Sequence, residues 1–179
     1  MHDTKNNKNN YTLMLVFLAM MMALTIILTR FVSIPIGNTF RIGLGRLPVF
    51  ASSMWFGPIS GLIVATGADI IGAVLTTGWN PVLTIPAALA GLLPGLLAKI
   101  FRLRKREHNR SAWICIRTIL CVAISHVATS GILMSFFLNY FYPSSLLLLL
   151  GMRTLIALGE GVVQGILLYL IETRVHHED

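Results

Sequence analysis

Residues 11–29 read YTLMLVFLAMMMALTIILT, a run without a single charged side chain. A transmembrane helix needs about 20 consecutive apolar residues, so this run predicts a first membrane-crossing helix over residues 11–30. The run is too long for the apolar core of a signal peptide, and no small-residue cleavage motif follows it. We therefore expect it to stay in the mature protein.

The rest of the chain has the same apolar composition. Hydrophobic residues make up 55% of the 179 residues, charged residues only 12%, and the mean hydropathy is +0.77. Soluble domains carry about 25% charged residues. Gly-Pro and Asn-Pro pairs and polar stretches divide the chain, and they predict further helices at 46–56, 59–77, 82–101, 112–141 and 146–173. The predicted fold class is all-α, a single polytopic membrane bundle of six transmembrane helices.

The basic residues indicate how this bundle is oriented. The net charge is +7 and the pI about 10.0, and one short connection contains Lys99, Arg102, Arg104, Lys105, Arg106 and Arg110. The positive-inside rule places this basic loop, residues 102–111, in the cytoplasm. Six crossings then put both termini there, as tails 1–10 and 174–179 around a membrane domain 11–173. We interpret the basic cluster as a topology signal and expect no nucleic-acid partner.

Four arginines run against this rule on the predicted outer side. Arg30, Arg41 and Arg46 lie in or beside the first outer connection, and Arg153 lies near the outer end of the sixth helix. A bound anion would explain them, because the guanidinium fork pairs carboxylates or phosphates bidentately. The alternative is that they reach lipid headgroups or cap helix ends.

Three titratable residues lie deep in apolar sequence: Asp69, His126 and Glu160. Such groups are costly in a membrane and mark a binding site or an internal partner. Glu160 and Gln164 share one helix face with Arg153, and we expect this face to point into the bundle. The alternative is a structural ion pair or hydrogen bond, and we expect His126 to be an interhelical hydrogen-bonding residue more than a ligand.

Catalytic and metal-binding motifs are absent from the sequence. It contains no His-Glu-x-x-His, Cys-x-x-Cys, Gly-x-Ser-x-Gly or phosphate-loop pattern, so we predict that the chain is not an enzyme. His2, His176 and His177 lie in the polar tails, and no metal site is expected. Cys115 and Cys121 are six residues apart, on different helix faces, and are interpreted as packing residues.

Small residues recur at four-residue spacing, which lets helices approach closely in a membrane. Ala19 and Ala23 form such a pair in the first helix. Further sets are expected to pack inside the bundle: Gly57, Gly61 and Ala65; Gly91 and Gly95; and Gly161 and Gly165.

Three motifs together resemble a known family. They are NTFRIGLGRLP at residues 38–48, WFGPISG at 55–61 and GADIIGA at 67–73. With the six-helix plan, they are similar to the S components of energy-coupling factor (ECF) transporters, the vitamin importers of prokaryotes, and to their folate-type branch. The resemblance extends over most of the chain and is dense over residues 38–95.

The resemblance implies a function and partners. Such S components bind a vitamin at the outer face of the cell membrane, associate with a membrane-embedded coupling subunit and two cytoplasmic ATPases, and topple to carry the vitamin inward. Ala19 and Ala23 match the small-residue motif that contacts the coupling subunit. The chain itself would bind no cofactor, because ATP is used by the partner ATPases.

The resemblance also implies a vitamin. The resemblance to the folate-type branch implies folate, and Trp79, which can stack on a flat ring such as a pterin, and the arginines, which suit a glutamate tail, are compatible with it. The loop GWNPVLT at 78–84 departs from the folate-type pattern, which leaves cobalamin, pantothenate or a queuosine precursor as alternatives. A self-sufficient small transporter or an intramembrane enzyme is the alternative of another class. The predicted substrate-binding residues are Phe40, Arg41, Arg46, Asp69, Trp79, Asn80, Arg153 and Glu160.

Overall fold

A computed structural model describes residues 3–36, 40–75, 81–103, 110–141 and 146–175 of the chain. Its elements, in order, are α1 (Asp3–Ile27), a π-helical turn (Leu28–Val32), β1 (Ile34–Ile36), β2 (Phe40–Ile42), α2 (Leu47–Phe56), α3 (Pro58–Val74), α4 (Pro81–Leu103), α5 (Arg110–His126), a π-helical segment (Val127–Leu133), α6 (Met134–Phe141) and α7 (Leu146–Val175). Because α5, its π segment and α6 are continuous, the described residues form six helical rods. The predicted all-α bundle of six helices is confirmed.

Two features differ from the predicted boundaries. The first helix begins at Asp3 and not at Tyr11, because a helix extends at little cost once its first turn exists. The polar segment after it contains a short antiparallel hairpin, in which Ile34 lies opposite Ile42 and Ile36 opposite Phe40. We call the end of the bundle that carries this hairpin the hairpin end.

The helices are long and apolar enough for a bilayer. Stretches within four of the rods qualify as spans by length and composition: Tyr11–Val32, Thr84–Phe101, Ile114–Asn139 and Leu150–Arg174. The rods Leu47–Phe56 and Pro58–Val74 are shorter apolar helices. Large apolar side chains cover the outside of the bundle, with Leu13 exposed by 68% and Leu155 by 73%. Such a surface requires lipid as its solvent.

Glycines bring α3 and α4 into backbone contact. A methyl group added at Gly61 would collide with the carbonyl oxygen of Gly91, and one at Gly91 would collide with that of Gly61. Beside this contact, the backbone N–H of Gly95 donates a 2.9 Å hydrogen bond to Ser53 Oγ on α2. Small residues therefore pack within the bundle here, as predicted.

The predicted packing of the small residues of α7 is also found inside the bundle. Methyl groups added at Gly161 and Gly165 would lie 2.8 Å from the Cα of Ala123 and 2.9 Å from the Cα of Ile119, respectively. Both contact atoms belong to α5, so α7 packs closely along that helix.

Gly57 makes the sharp turn between α2 and α3. Its φ angle is +101°, a conformation that side chains with a Cβ rarely adopt. Pro58 follows at the first position of α3, where its missing N–H has no helical partner to lose. The Gly-Pro pair therefore ends one helix and begins the next, as predicted.

Hydroxyl side chains accompany both π-helical segments. Thr25, Thr29 and Ser33 each donate to the carbonyl oxygen four residues earlier, over distances of 2.5–2.8 Å. On the other rod, Ser125 and Thr129 do the same. Back-bonding of this kind bends helices, and π turns occur frequently at functional sites. Both π segments contribute residues to the cavities described below.

Candidate functional site

Two side chains of α7 hold the peptide groups around Gly43, directly after the hairpin. The carboxylate Oε1 of Glu160 accepts a 2.8 Å hydrogen bond from the Gly43 N–H. One helical turn later, Gln164 Nε2 donates a 2.9 Å hydrogen bond to the Gly43 carbonyl oxygen. Since the carbonyl requires a donor, the amide orientation of Gln164 is fixed, and its Oε1 stays a buried acceptor without a hydrogen-bond partner among the described residues.

His126 approaches the other oxygen of Glu160. Its Nε2 lies 3.4 Å from Glu160 Oε2, longer than an ordinary hydrogen bond, and its ring packs edge-on against Phe50 with centroids 5.8 Å apart. Neither ring nitrogen has a hydrogen-bond partner within the described part of the chain. His126 therefore approaches Glu160 without forming the interhelical hydrogen bond that was expected of it.

Arg46 lies between the acidic residues, in the turn before α2 and outside the spanning helices. Burial lowers the pKa of its guanidinium, the charges of Glu160 and Asp69 act in the opposite direction, and the charge of Arg153 adds to the lowering. Arginine stays protonated in proteins. Its Nη1 is buried and has no hydrogen-bond partner among the residues that the structure describes, so a ligand acceptor placed there would remove an energetic penalty.

Asp69 faces the same region from α3. The Thr84 side chain on α4 donates a hydrogen bond to it, and the charges of Arg46 and Arg30 act on it. Arg30, Arg46 and Asp69 line a cavity of about 150 Å³ between α1, α2, α3 and α4. Asp69 therefore pairs with residues of the bundle and belongs to the charged cluster around Arg46.

Two further cavities meet at Glu160. A polar cavity of about 160 Å³ is lined by Arg46, His126 and Glu160 together with hydroxyls of both π segments, Thr29 and Ser130. A larger groove of about 490 Å³ runs between α7 and the segment after the hairpin. We call it the lateral groove. Gly43 and Glu160 line both cavities, so the two are adjacent.

Comparison with known proteins identifies the family. Residues 9–175 match the family model described as ECF-type riboflavin transporter, S component. The chain belongs to this S-component family. Its members are substrate-binding transporter subunits, so the chain is a non-enzymatic, multi-pass membrane protein of a prokaryote, as predicted.

Relatives of this S component carry different vitamin names. The folate transporter FolT of Clostridium novyi (strain NT) is 35% identical over 86 residues, which are 46% of this chain and 48% of the relative. The match thus spans about half the length of that curated relative. Among solved structures, FolT bound with folic acid has a TM-score of 0.67 at 21% identity, with 90% of this chain and 94% of that chain covered. The S component for biotin has a TM-score of 0.67 at 22% identity, covering 94% and 93%. At these identities the two structures show the fold alone.

The predicted binding residues of the S component divide into three groups. Arg46, Asp69, Arg153 and Glu160 are brought together, since the charges of the other three all act on Arg46. For Phe40 and Arg41 only the backbone is described, in strand β2. Trp79 and Asn80 lie outside the described residues.

The prediction missed Gly43 as the residue that α7 holds, and it did not include Gln164 or His126 among the binding residues. The four-residue spacing of Glu160 and Gln164 already indicated a shared face. The spacing of Thr25, Thr29 and Ser33 was a further signal in the sequence.

Ala19 and Ala23 are exposed on α1. This helix packs against α2 and α3, and it buries Leu18 and Thr25 on its inner side. The small pair lies on the outward side, beside Leu15 and Met20, which are exposed by 68% and 65%. The pair is thus accessible to a second membrane protein.

No group of three or more His, Cys, Asp or Glu side chains that could hold a metal occurs within the described ranges. Cys115 and Cys121 are free thiols, and Cys121 is buried.

Proposed function

We propose that this S component binds folate at the hairpin end and passes it to partner subunits for import. The observation that carries the proposal is the buried charge cluster at Arg46, where a guanidinium Nη1 lacks a hydrogen-bond partner among the described residues and Glu160 lines the same polar cavity. Folate joins a pterin, which carries N–H donors, to a glutamate with two carboxylates. Its chemistry therefore matches both signs of charge in the site.

Riboflavin is the second candidate, because the matching family model carries its name. Riboflavin is neutral, with a flat isoalloxazine and a chain of hydroxyl groups. It would bring no anionic group to Arg46 and Arg153, whose like charges act against each other. Arg46 and Arg153 thus favour folate over riboflavin, and the sequence similarity to FolT of Clostridium novyi supports the same choice.

The proposed topology places the hairpin end outside the cell and both termini in the cytoplasm. Arg41, Trp79 and Asn80 would then belong to the outer connections and contribute to the vitamin site. The proposed partners are the ECF coupling subunit, reached through Ala19 and Ala23, and two cytoplasmic ATPases. In this arrangement ATP is used by the ATPases, and the chain itself binds no cofactor.

A titration of the purified chain with a vitamin panel tests the ligand. A ligand that binds the native state raises its melting temperature, and calorimetry gives the affinity. The panel contains folate, riboflavin, biotin, cobalamin, pantothenate and a queuosine precursor. Tight binding of folate alone is the expected result, whereas tight binding of riboflavin without folate would overturn the proposal.

Transport is tested in vesicles with and without the partner subunits. Folate uptake is expected only when the coupling subunit, the ATPases and ATP are all present. Uptake by the chain alone would instead identify a self-sufficient transporter.

A further inference from the structure

The lateral groove opens on the side of the bundle that faces lipid. Of its lining residues, Val32, Leu155 and Val163 are exposed by 48%, 73% and 52%. Leu155 and Val163 lie within the apolar span Leu150–Arg174, and Val32 ends the span Tyr11–Val32. Because these spans are suited to the hydrocarbon of a bilayer, the groove is continuous with the lipid-facing surface of the bundle.

A missing side chain forms the centre of the groove. Leu155, Gly159 and Val163 are spaced four residues apart and share one face of α7. A Cβ at Gly159 would meet no atom of the described residues within 4 Å, whereas Gly161 and Gly165 of the same helix are covered by α5. Leu155 and Val163 therefore bound an open trough about 12 Å long on the outside of α7.

The polar groups at the base of the groove are largely covered. Gln164 is 1% exposed, and the side chain of Glu160 is 13% exposed. Both are already engaged with the peptide groups of Gly43. The surface that an occupant would touch is therefore mainly apolar and includes Leu44 and Ile156.

The size of the groove requires an occupant in a bilayer. Its volume of about 490 Å³ falls in the range of small-molecule sites. If the groove were empty, its lining residues would lose dispersion contacts, and water needs several polar partners to stay in such a space. The surrounding bilayer supplies acyl chains directly at the opening. Hydrocarbon is thus the occupant that both the lining and the surroundings favour.

We infer that the lateral groove binds one acyl chain of a membrane phospholipid, and that this acyl chain forms the outer wall of the hydrogen bonds at Gly43. Hydrogen bonds are electrostatically stronger where water is excluded, and the acyl chain would cover the bonds that Glu160 and Gln164 make. The bound lipid therefore stabilises the segment after the hairpin. This site is separate from the charge cluster at Arg46 and does not depend on which vitamin the protein binds.

Gly159→Phe tests the site, because a phenyl ring at this position fills the groove from α7 itself. Gly151→Phe is the matched control, since Gly151 is also an exposed glycine of α7 with open space at its Cβ and is not among the groove residues. The purified proteins are exchanged into a short-chain detergent and incubated with dioleoyl phosphatidylglycerol. Native mass spectrometry then measures how much lipid stays bound.

We expect the wild type and Gly151→Phe to retain one lipid, and Gly159→Phe to bind it about tenfold more weakly or worse. Equal retention by all three proteins would overturn the inference. Dioleoyl phosphatidylcholine has the same acyl chains on a headgroup without net charge, so it should be retained as well as phosphatidylglycerol. Retention of phosphatidylglycerol alone would show recognition of the headgroup and would overturn the acyl-chain assignment.

Hydrogen exchange of the wild type tests the outer wall without any substitution. When dioleoyl phosphatidylcholine is added to the delipidated protein, the amide of Gly43 should exchange about tenfold more slowly, because its hydrogen bond opens less often. The amide of Gly95, which bonds to Ser53 away from the groove, is the internal control and should change little. Unchanged exchange at Gly43 in a protein that retains the lipid would refute the wall role.

Discussion

Glu160 on α7 accepts a hydrogen bond from the backbone N–H of Gly43, a residue 117 positions earlier in the chain. The contact joins the last helix to the segment that follows the hairpin. Because Gln164 holds the carbonyl of the same residue, two neighbouring side chains of one helix fix this segment. Glu160 also lines the polar cavity, so its positioning of Gly43 can be tested separately from its proposed contact with the ligand.

Substitutions of Glu160 should separate these roles. Glu160→Gln keeps an oxygen for the Gly43 N–H but replaces the other acceptor with a donor, so we expect near-normal melting and weak folate binding. Glu160→Leu leaves the Gly43 N–H unpaired. We expect it to weaken folate binding and, in addition, to lower the free energy of unfolding by about 1–3 kcal/mol. Denaturation without ligand and calorimetry with folate measure the two effects.

Glu172→Gln is the control for the Glu160 substitutions. Glu172 is on the same helix, where it accepts from Thr118 at 3.2 Å and lies 4.0 Å from Arg117. Glu172 does not line any of the three cavities described above. The folate affinity of the Glu172→Gln variant should therefore equal that of the wild type. A Glu160→Gln variant that binds folate normally would contradict the ligand-facing role.

Substitutions of the two arginines of the charge cluster test whether they bind the anionic part of the ligand. Arg46→Met and Arg153→Met should each weaken folate binding by about 10- to 100-fold, because a charged hydrogen bond to a glutamate carboxylate is lost. Pterin lacks the glutamate tail, so its binding should change little in either variant. Calorimetric titration of both ligands into both variants checks this.

The control for charge is Arg174→Met, which removes one positive charge at the far end of α7, where Arg174 is exposed. It should bind both ligands normally. A loss of pterin affinity as large as the loss of folate affinity would show that the two arginines do not act through the glutamate tail.

The hydrogen bond between α2 and α4 should stabilise the bundle. In Ser53→Ala, the buried Gly95 N–H loses its acceptor at 2.9 Å, and we expect the free energy of unfolding to fall by about 1–3 kcal/mol. Ser60→Ala is the matched control, because Ser60 Oγ donates a longer, local hydrogen bond of 3.3 Å to the carbonyl oxygen of Phe56, four residues earlier. Melting in detergent compares them, and equal melting temperatures would contradict the role of Ser53.

Local chemistry explains why much of the fold was predictable from sequence. The turn at Gly57 and Pro58 and the helix start at Pro81 depend on backbone preferences of the residues themselves, so the boundaries of α2, α3 and α4 were close to those observed. Apolar length likewise predicted the spanning helices. These features require no knowledge of distant contacts.

The site was predictable only in part, because its geometry depends on contacts between distant residues. A positive charge on the predicted outer side indicated Arg46, and charges deep in apolar sequence indicated Asp69 and Glu160. All three belong to one cluster. The spacing of Glu160 and Gln164 gave their common face but not the peptide that they hold. No local pattern marks Gly43 as their partner, and that contact determines where the lateral groove lies.

The exposed pair on α1 should act in transport and not in binding. In Ala19→Trp, a large side chain on the outward face would keep another helix at a distance, while the cavities on the inner side stay unchanged. We expect normal folate affinity in the purified chain and loss of ATP-dependent uptake in vesicles containing the coupling subunit and ATPases. Leu120→Trp, at a 44% exposed position on α5, should support normal uptake, and weakened folate binding by Ala19→Trp would contradict the separation of the two surfaces.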